Sequence, residues 1–211
     1  MIKSKSRIKQ TAEIFTPTPL VNEILDKLNE TDSTLFANSS KTFLDNSCGN
    51  GQFLIQVIER KIQGGSTFNQ AVETTFGVDI MVDNVCDCIA RIMLYTQTRE
   101  DIFDQSGAPV EGLTEFGGYK EKDNADVQWL EKNHEWIRKY TYGKHIIYIR
   151  PCKDKWWMMQ YSFDKKSWKL YHQIICADAL KYHYRFDGTH PDDEKSKINK
   201  REELTNNLLA F

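Results

Sequence analysis

The chain contains no apolar run approaching the roughly 20 residues that cross a bilayer. Its mean hydropathy of −0.58 and its 27% of charged residues argue against a membrane protein. C-x-x-C pairs are absent, and the five cysteines, at 48, 86, 88, 152 and 176, are odd in number and irregularly spaced. That pattern argues against a disulfide framework and predicts reduced thiols in a cytoplasmic protein. Cys86 and Cys88 form a C-x-C inside a helical pattern, where the side chains diverge, so no metal site is expected. Charge of one sign is not in excess: 28 Lys and Arg face 30 Asp and Glu, for a net charge of −2. This excludes a uniformly basic nucleic-acid coat and leaves room for a local basic face. The first seven residues, Met1 to Arg7, are basic but lack the apolar stretch of a secretory signal. Only five prolines occur, at 17, 19, 109, 151 and 191, and no two are adjacent.

With 40% apolar residues, 211 residues suffice for one α/β domain with an elaboration and are too few for two full-sized domains. Leu20, Val21, Ile24, Leu25 and Leu28 recur at helical spacing after Thr18-Pro19, which marks a helix start. Residues 42–45 read as a short buried strand, and Phe53 to Ile62 as a helix stopped by Gly64-Gly65. Residues 74–79 read as a second strand, and the stripe from Val82 to Ile92 as a third helix. Strand and helix alternate, which implies parallel strands joined by right-handed crossovers. Beyond Arg99 the texture changes. Residues 104–118 read as loop, 124–140 as a helix, and 144–176 as β-rich, with a turn at 164–167. Ile174 to Asp178 resembles a further strand of the parallel sheet, taken to run within 174–187. The organisation expected is a cofactor-binding half over 1–98, an insert over 99–172, and a third sheet strand with a charged tail over 173–211.

Chemistry concentrates at strand ends. Asp45-Asn46-Ser47-Cys48-Gly49-Asn50-Gly51 sits between a strand and a helix. Glycines suit a turn over which a cofactor passes closely, although an ordinary βα turn also uses them. Asp79 ends the next strand, where a carboxylate can accept from both hydroxyls of a ribose; Asp178 ends a third, where it can accept from an adenine amino group. Each acid alone could instead cap a helix. Together with the glycine turn, three such acids line one sheet edge, the edge at which open α/β sheets bind ligands.

These residues resemble a known family. Asp45-x-x-Cys48-Gly49-x-Gly51-x-Phe53-Leu54 is similar to the first motif of S-adenosyl-L-methionine-dependent adenine-N6 DNA methyltransferases. Phe15-Thr16-Pro17 looks like their upstream Phe-Thr-Pro segment, which in the family closes over the methionine end of the cofactor. Gly77-Val78-Asp79-Ile80 matches the ribose-binding motif, and Asp178-Ala179-Leu180 the motif beside the cofactor adenine. The resemblance covers about 11–95 and 174–187, and implies a class I methyltransferase (Rossmann-like) parallel sheet, incomplete on its C-terminal side. It implies S-adenosyl-L-methionine as cofactor, DNA as partner and adenine methylation as activity. The departure is equally specific. The family's catalytic Asn/Asp-Pro-Pro-aromatic motif should follow Asp178, and nothing of that form occurs in a sequence without adjacent prolines. No catalytic residue is therefore identified. Besides the complete enzyme, an inactive cofactor- or DNA-binding remnant, or one chain of a split methyltransferase, stays open. A partner chain or self-association is expected to cover the sheet edge left open.

The insert is the remaining anomaly. Residues 138–172 carry nine Lys or Arg against two acids, in a chain of net charge −2. Lys153, Lys155, Trp156, Lys165, Lys166 and Trp168 are the candidate nucleic-acid contacts, since cations meet phosphates and rings stack on bases. A strand pair with an aromatic core face and a lysine solvent face is the other reading.

Overall fold

The computed structural model describes residues 15–117, 138–151, 157–162, 167–182, 184 and 186. Helix α1 (Thr18–Thr31) starts on Pro17, with Pro19 in its first turn, where a missing N–H costs nothing. Strand β1 (Phe43–Asp45) and helix α2 (Gln52–Gln63) follow; α2 starts at Gly51 in the left-handed conformation (φ 83°) and ends at Gly64. A short helix absent from the sequence expectation, α3 (Phe68–Glu73), is opened by a capping box in which Thr67 and Gln70 satisfy each other's backbone N–H groups. Strand β2 (Thr75–Asp79) leads into the 17-residue helix α4 (Val82–Thr98). Then come β3 (Leu113–Gly117), β4 (Arg138–Tyr142), β5 (His145–Pro151), β6 (Trp157–Ser162) and β7 (Ser167–Cys176).

All seven strands form one sheet, in the order β1-β2-β7-β6-β5-β4-β3. The first three are parallel and alternate with helices; every pairing from β7 through β6, β5 and β4 to β3 is antiparallel. The chain is thus mixed α/β. Strand β7 belongs to both parts. Ile174–Cys176 run parallel to Gly77–Asp79, whereas Ser167–Tyr171 pair antiparallel with β6. The ribbon strand and the third parallel strand, expected as separate pieces, are one ten-residue strand.

Three further expectations are corrected. Residues 113–117 are strand, not loop, because Leu113 to Gly117 find a ladder partner in β4. Residues 138–140 are strand, not the end of a helix, for they pair with both β3 and β5; residues 124–137 lie outside the described residues. The third parallel strand stops at Cys176 and gives way to a turn at 179–181.

Helices α2 and α4 cover one face of the sheet. Leu54, Ile58, Val85, Cys88, Ile89 and Ile92 pack there with Ile147, Ile149, Met158, Tyr171 and Ile174, so the added strands share the core of the parallel ones. Truncating one such side chain to Ala costs about 2–5 kcal/mol. Tyr161 and Tyr171 are buried, so for these two the core reading of the insert's aromatics holds. Arg138 is likewise used internally, bound to Glu115 and 3.7 Å from Asp87. On the opposite face Val78, Ile175, Ala177 and Tyr182 form a second cluster, and Phe186 lies on Phe76 with ring centroids 4.6 Å apart.

Strand β1 is the edge of the sheet and pairs only with β2 among the described residues. Helix α1 buries Val21 and Leu25 against Phe36 and Val57. Its neighbouring stripe, Leu20, Ile24 and Leu28, remains 47%, 38% and 46% exposed, and Leu44 on β1 is 51% exposed. Between them lies a cavity of about 250 Å³ whose lining includes Leu28, Phe43, Leu44 and Phe53. Among the described residues no helix is long and apolar enough to cross a membrane.

Candidate cofactor site

The turn after β1 is held from several sides. Asp45 Oδ1 accepts from Ser47 N at 3.0 Å. Cys48 N donates to Val78 O at 3.0 Å, tying the turn to β2, and Gly51 N closes it by donating to Cys48 O at 2.8 Å. Gly49 N donates to Asp79 Oδ2 at 2.9 Å. Both glycines lie at positive φ, 52° and 83°. A Cβ on Gly49 would approach the Phe15 ring to 3.1 Å, and one on Gly51 would meet Cys88 Sγ at 2.7 Å. The turn therefore needs glycine for its own backbone and packing, before any ligand is considered.

Asp79 ends β2 and stitches the turn to α4. Besides Gly49 N it accepts from Met81 N at 2.8 Å and from Asn84 Nδ2 at 3.3 Å. The carboxylate thus braces the turn and the entry to α4 without capping the helix, whose N-cap residue is Met81. Register carries the edge on to β7: Asp79 pairs with Cys176, and Ala177 N donates to Asp79 O at 2.9 Å. Asp178, just beyond, accepts from Leu180 N at 3.0 Å and pairs with Lys181 at 3.1 Å. The Leu180 N–H, and then Lys181, hold its carboxyl below the usual carboxylate range. Ile80 and Leu180 project from the same edge, 65% and 95% exposed. Ala179 packs beside the Tyr182 cluster.

Asp45 is the opposite case. Burial raises its pKa, against the pull of the Ser47 N–H, and the neighbouring Asp79 raises it further. The Cys48 thiol is also pushed well up, by its contact with Cys88 and by burial, which makes it an inert packing group. Phe53 packs into the α1 cluster and lines the edge cavity. Of the upstream segment, Phe15 lies over Gly49 and Gly107, Thr16 follows, and Pro17 O accepts from Leu20 N and Val21 N to start α1.

One element escaped the sequence reading. Arg91 on α4 is fully buried. Its Nε donates to Asp101 Oδ1 at 2.7 Å and Nη2 to Oδ2 at 2.5 Å, while Nη1 reaches Gln52 Oε1 at 2.6 Å and Asn50 O at 3.4 Å. Gln52 Nε2 continues to Thr18 Oγ1 at 2.8 Å, and Asn50 Nδ2 to Gly107 O at 3.1 Å. One guanidinium thereby joins the glycine turn, the start of α1 and the 101–107 loop. The available signal was an arginine at a buried-stripe position: Asn84, Cys88, Arg91 and Tyr95 repeat at helical spacing, and all four are buried.

The structure brings Phe15, Asp45, Gly49, Gly51, Asp79 and Asp178 to the C-terminal ends of β1, β2 and β7. Lys153, Lys155, Trp156, Lys165 and Lys166 lie outside the described residues; Trp168 is in β7, paired in register with Tyr161. Among the described residues no group of three or more His, Cys, Asp or Glu is placed to hold a metal ion. The chain matches no family model, no curated protein and no solved structure.

Proposed function

We propose that this chain is the cofactor-binding part of an S-adenosyl-L-methionine-dependent adenine-N6 DNA methyltransferase, with a class I methyltransferase-like parallel sheet. The observation that carries the reading is the convergence of the glycine turn, Asp79 and Asp178 on one strand-end edge, with Phe15 packed over the turn. Asp178 accepts from the cofactor adenine. Asp79 accepts from the ribose, whose hydroxyls take the place of the long Asn84 contact. The turn and Phe15 receive the methionine end. Ile80 and Leu180 offer exposed apolar surface for the adenine faces. Asp45 and Asp79 make the edge anionic, which suits a cationic ligand. The bound cofactor supplies an electrophilic methyl group on a sulfonium; the chain's own contribution is to hold and orient it and to exclude water.

Transfer needs a holder for the target adenine, and the sequence offers no Asn/Asp-Pro-Pro-aromatic segment. The outer edge of β1, unpaired among the described residues and flanked by exposed apolar side chains, is where a further strand bearing that segment would pair. The complete enzyme therefore draws that strand from polypeptide outside these 211 residues, and the basic insert contributes to DNA binding. The missing motif equally favours a second reading, an inactive cofactor- or DNA-binding protein. A labelled-methyl transfer assay on adenine-containing DNA separates them. The chain alone should give no incorporation, and addition of a polypeptide bearing the missing motif should restore it. Failure of every such polypeptide to restore transfer would favour the inactive reading. Robust transfer by the chain alone would show that another segment replaces the motif.

A further inference from the structure

Asn50 stands between the two left-handed glycines of the turn and is 1% exposed. Its Nδ2 is committed to Gly107 O, and its main-chain carbonyl accepts from Arg91. Its side-chain Oδ1 is buried and has no hydrogen-bond donor among the described residues. Buried acceptors without a donor are rare in folded proteins and call for an explanation. This one cannot be relieved by rotating the amide, because that would place Nδ2 away from Gly107 and leave two groups unsatisfied instead of one. The atom is a buried acceptor in a turn whose Gly49, like Gly107 across from it, lies close to Phe15.

Resting on the cofactor reading above, the order of the strands tells which part of the ligand comes near. Asp178 on β7 takes the adenine and Asp79 on β2 takes the ribose. The next position along the edge is β1 with its turn, so the amino-acid end of the ligand lies there. The donor-rich group of that end is its α-ammonium, with three N–H bonds. We infer that Asn50 Oδ1 accepts a hydrogen bond from the α-ammonium of the cofactor. Asn50 is thus a specificity-determining residue that selects adenosyl ligands carrying an amino-acid end over those without one. A bond from a charged donor, made away from water, is stronger than a neutral one.

The test uses two ligands that share the nucleoside thioether: S-adenosylhomocysteine, which has the amino-acid end, and 5′-methylthioadenosine, which lacks it. Calorimetry on the wild-type chain should show tighter binding of the first. Asn50→Ala should weaken S-adenosylhomocysteine by about ten- to a hundredfold and leave methylthioadenosine within about twofold. Asn50→Asp keeps an acceptor and serves alone if the alanine variant does not fold. It should preserve the preference for S-adenosylhomocysteine. Equal loss for both ligands in Asn50→Ala, no loss for either, or a lost preference in Asn50→Asp would overturn the inference while leaving the cofactor reading standing. A wild-type chain that binds neither ligand would overturn that reading, and this inference with it.

Discussion

Replacing Arg91 by Met is the sharpest test of how the site is held. The side chain is fully buried, whereas that of Asp101 is 27% exposed. The substitution removes both Asp101 bonds and leaves Gln52 Oε1 and Asn50 O without this donor, and it removes the cation over the Phe103 ring, 5.3 Å from its centroid. Breaking a buried ion pair costs about 3–5 kcal/mol. Here the lower end applies, because Asp101 keeps some solvent and the Phe103 N–H at 3.1 Å. At about 2.1 cal/mol/K per residue, a chain of 211 residues has an unfolding entropy of about 0.44 kcal/mol/K, so about 3 kcal/mol lowers the melting temperature by about 7 °C. Arg91→Lys keeps the charge without the fork and should fall between the variant and wild type. Adding Asp101→Leu to Arg91→Met should recover part of the loss, since the stranded carboxylate is then removed. Thermal denaturation followed by circular dichroism reads all of these. An Arg91→Met chain melting within about 2 °C of wild type would refute the claim that this guanidinium organises the turn.

Asp45 should respond in the opposite sense. Its folded pKa is raised, so the folded state holds more protons than the unfolded one just above the ordinary carboxylate value, and stability falls as pH rises through that window. Asp45→Asn should therefore raise the melting temperature at neutral pH, by about 2–4 °C for each ~1 kcal/mol recovered, flatten the acid-side dependence and weaken cofactor binding. Leu28→Lys and Leu44→Lys, both at exposed positions, should cost at most about 0.5 kcal/mol of stability. They should also reduce self-association measured by light scattering; a wild-type chain that is a clean monomer with a cooperative melt would contradict the open-edge account. Reversal of Lys153, Lys155 and Lys165 to Glu should flatten the salt dependence of duplex-DNA binding by about 0.9 per lost phosphate contact, and an unchanged slope would leave the insert as core ribbon.

The elements before Arg99 were legible because each carries its own signal. The stripe Leu20 to Leu28 gave α1, Gly64-Gly65 the end of α2, and the alternation of strands and helices the parallel order. Periodicity could not say that three of the five α1 stripe residues stay exposed, since that depends on what lies beside β1. Helix α3 is too short for a period to show; its capping box, Thr67 with Gln70, was the readable sign. Strand β3 was hidden by the turn residues around it, because a ladder partner in β4 decides such a segment more than local propensity does. The double role of β7 is a matter of pairing: nothing in Ser167 to Cys176 marks where an antiparallel neighbour is exchanged for a parallel one. In the site, the acids and glycines were readable as types at strand ends. The Arg91 network was not, because its partners at 50, 52 and 101 meet only through the fold.

The proposed adenosyl cofactor at the strand-end edge is open to titration calorimetry with S-adenosyl-L-methionine. The wild-type chain should bind. Asp79→Ala should lose about 1.5–3 kcal/mol, roughly 10- to 150-fold in affinity, and Asp79→Asn less, with the melt of each variant showing that the fold persists. No heat and no thermal shift for the wild-type chain at millimolar cofactor would show that this edge does not hold it.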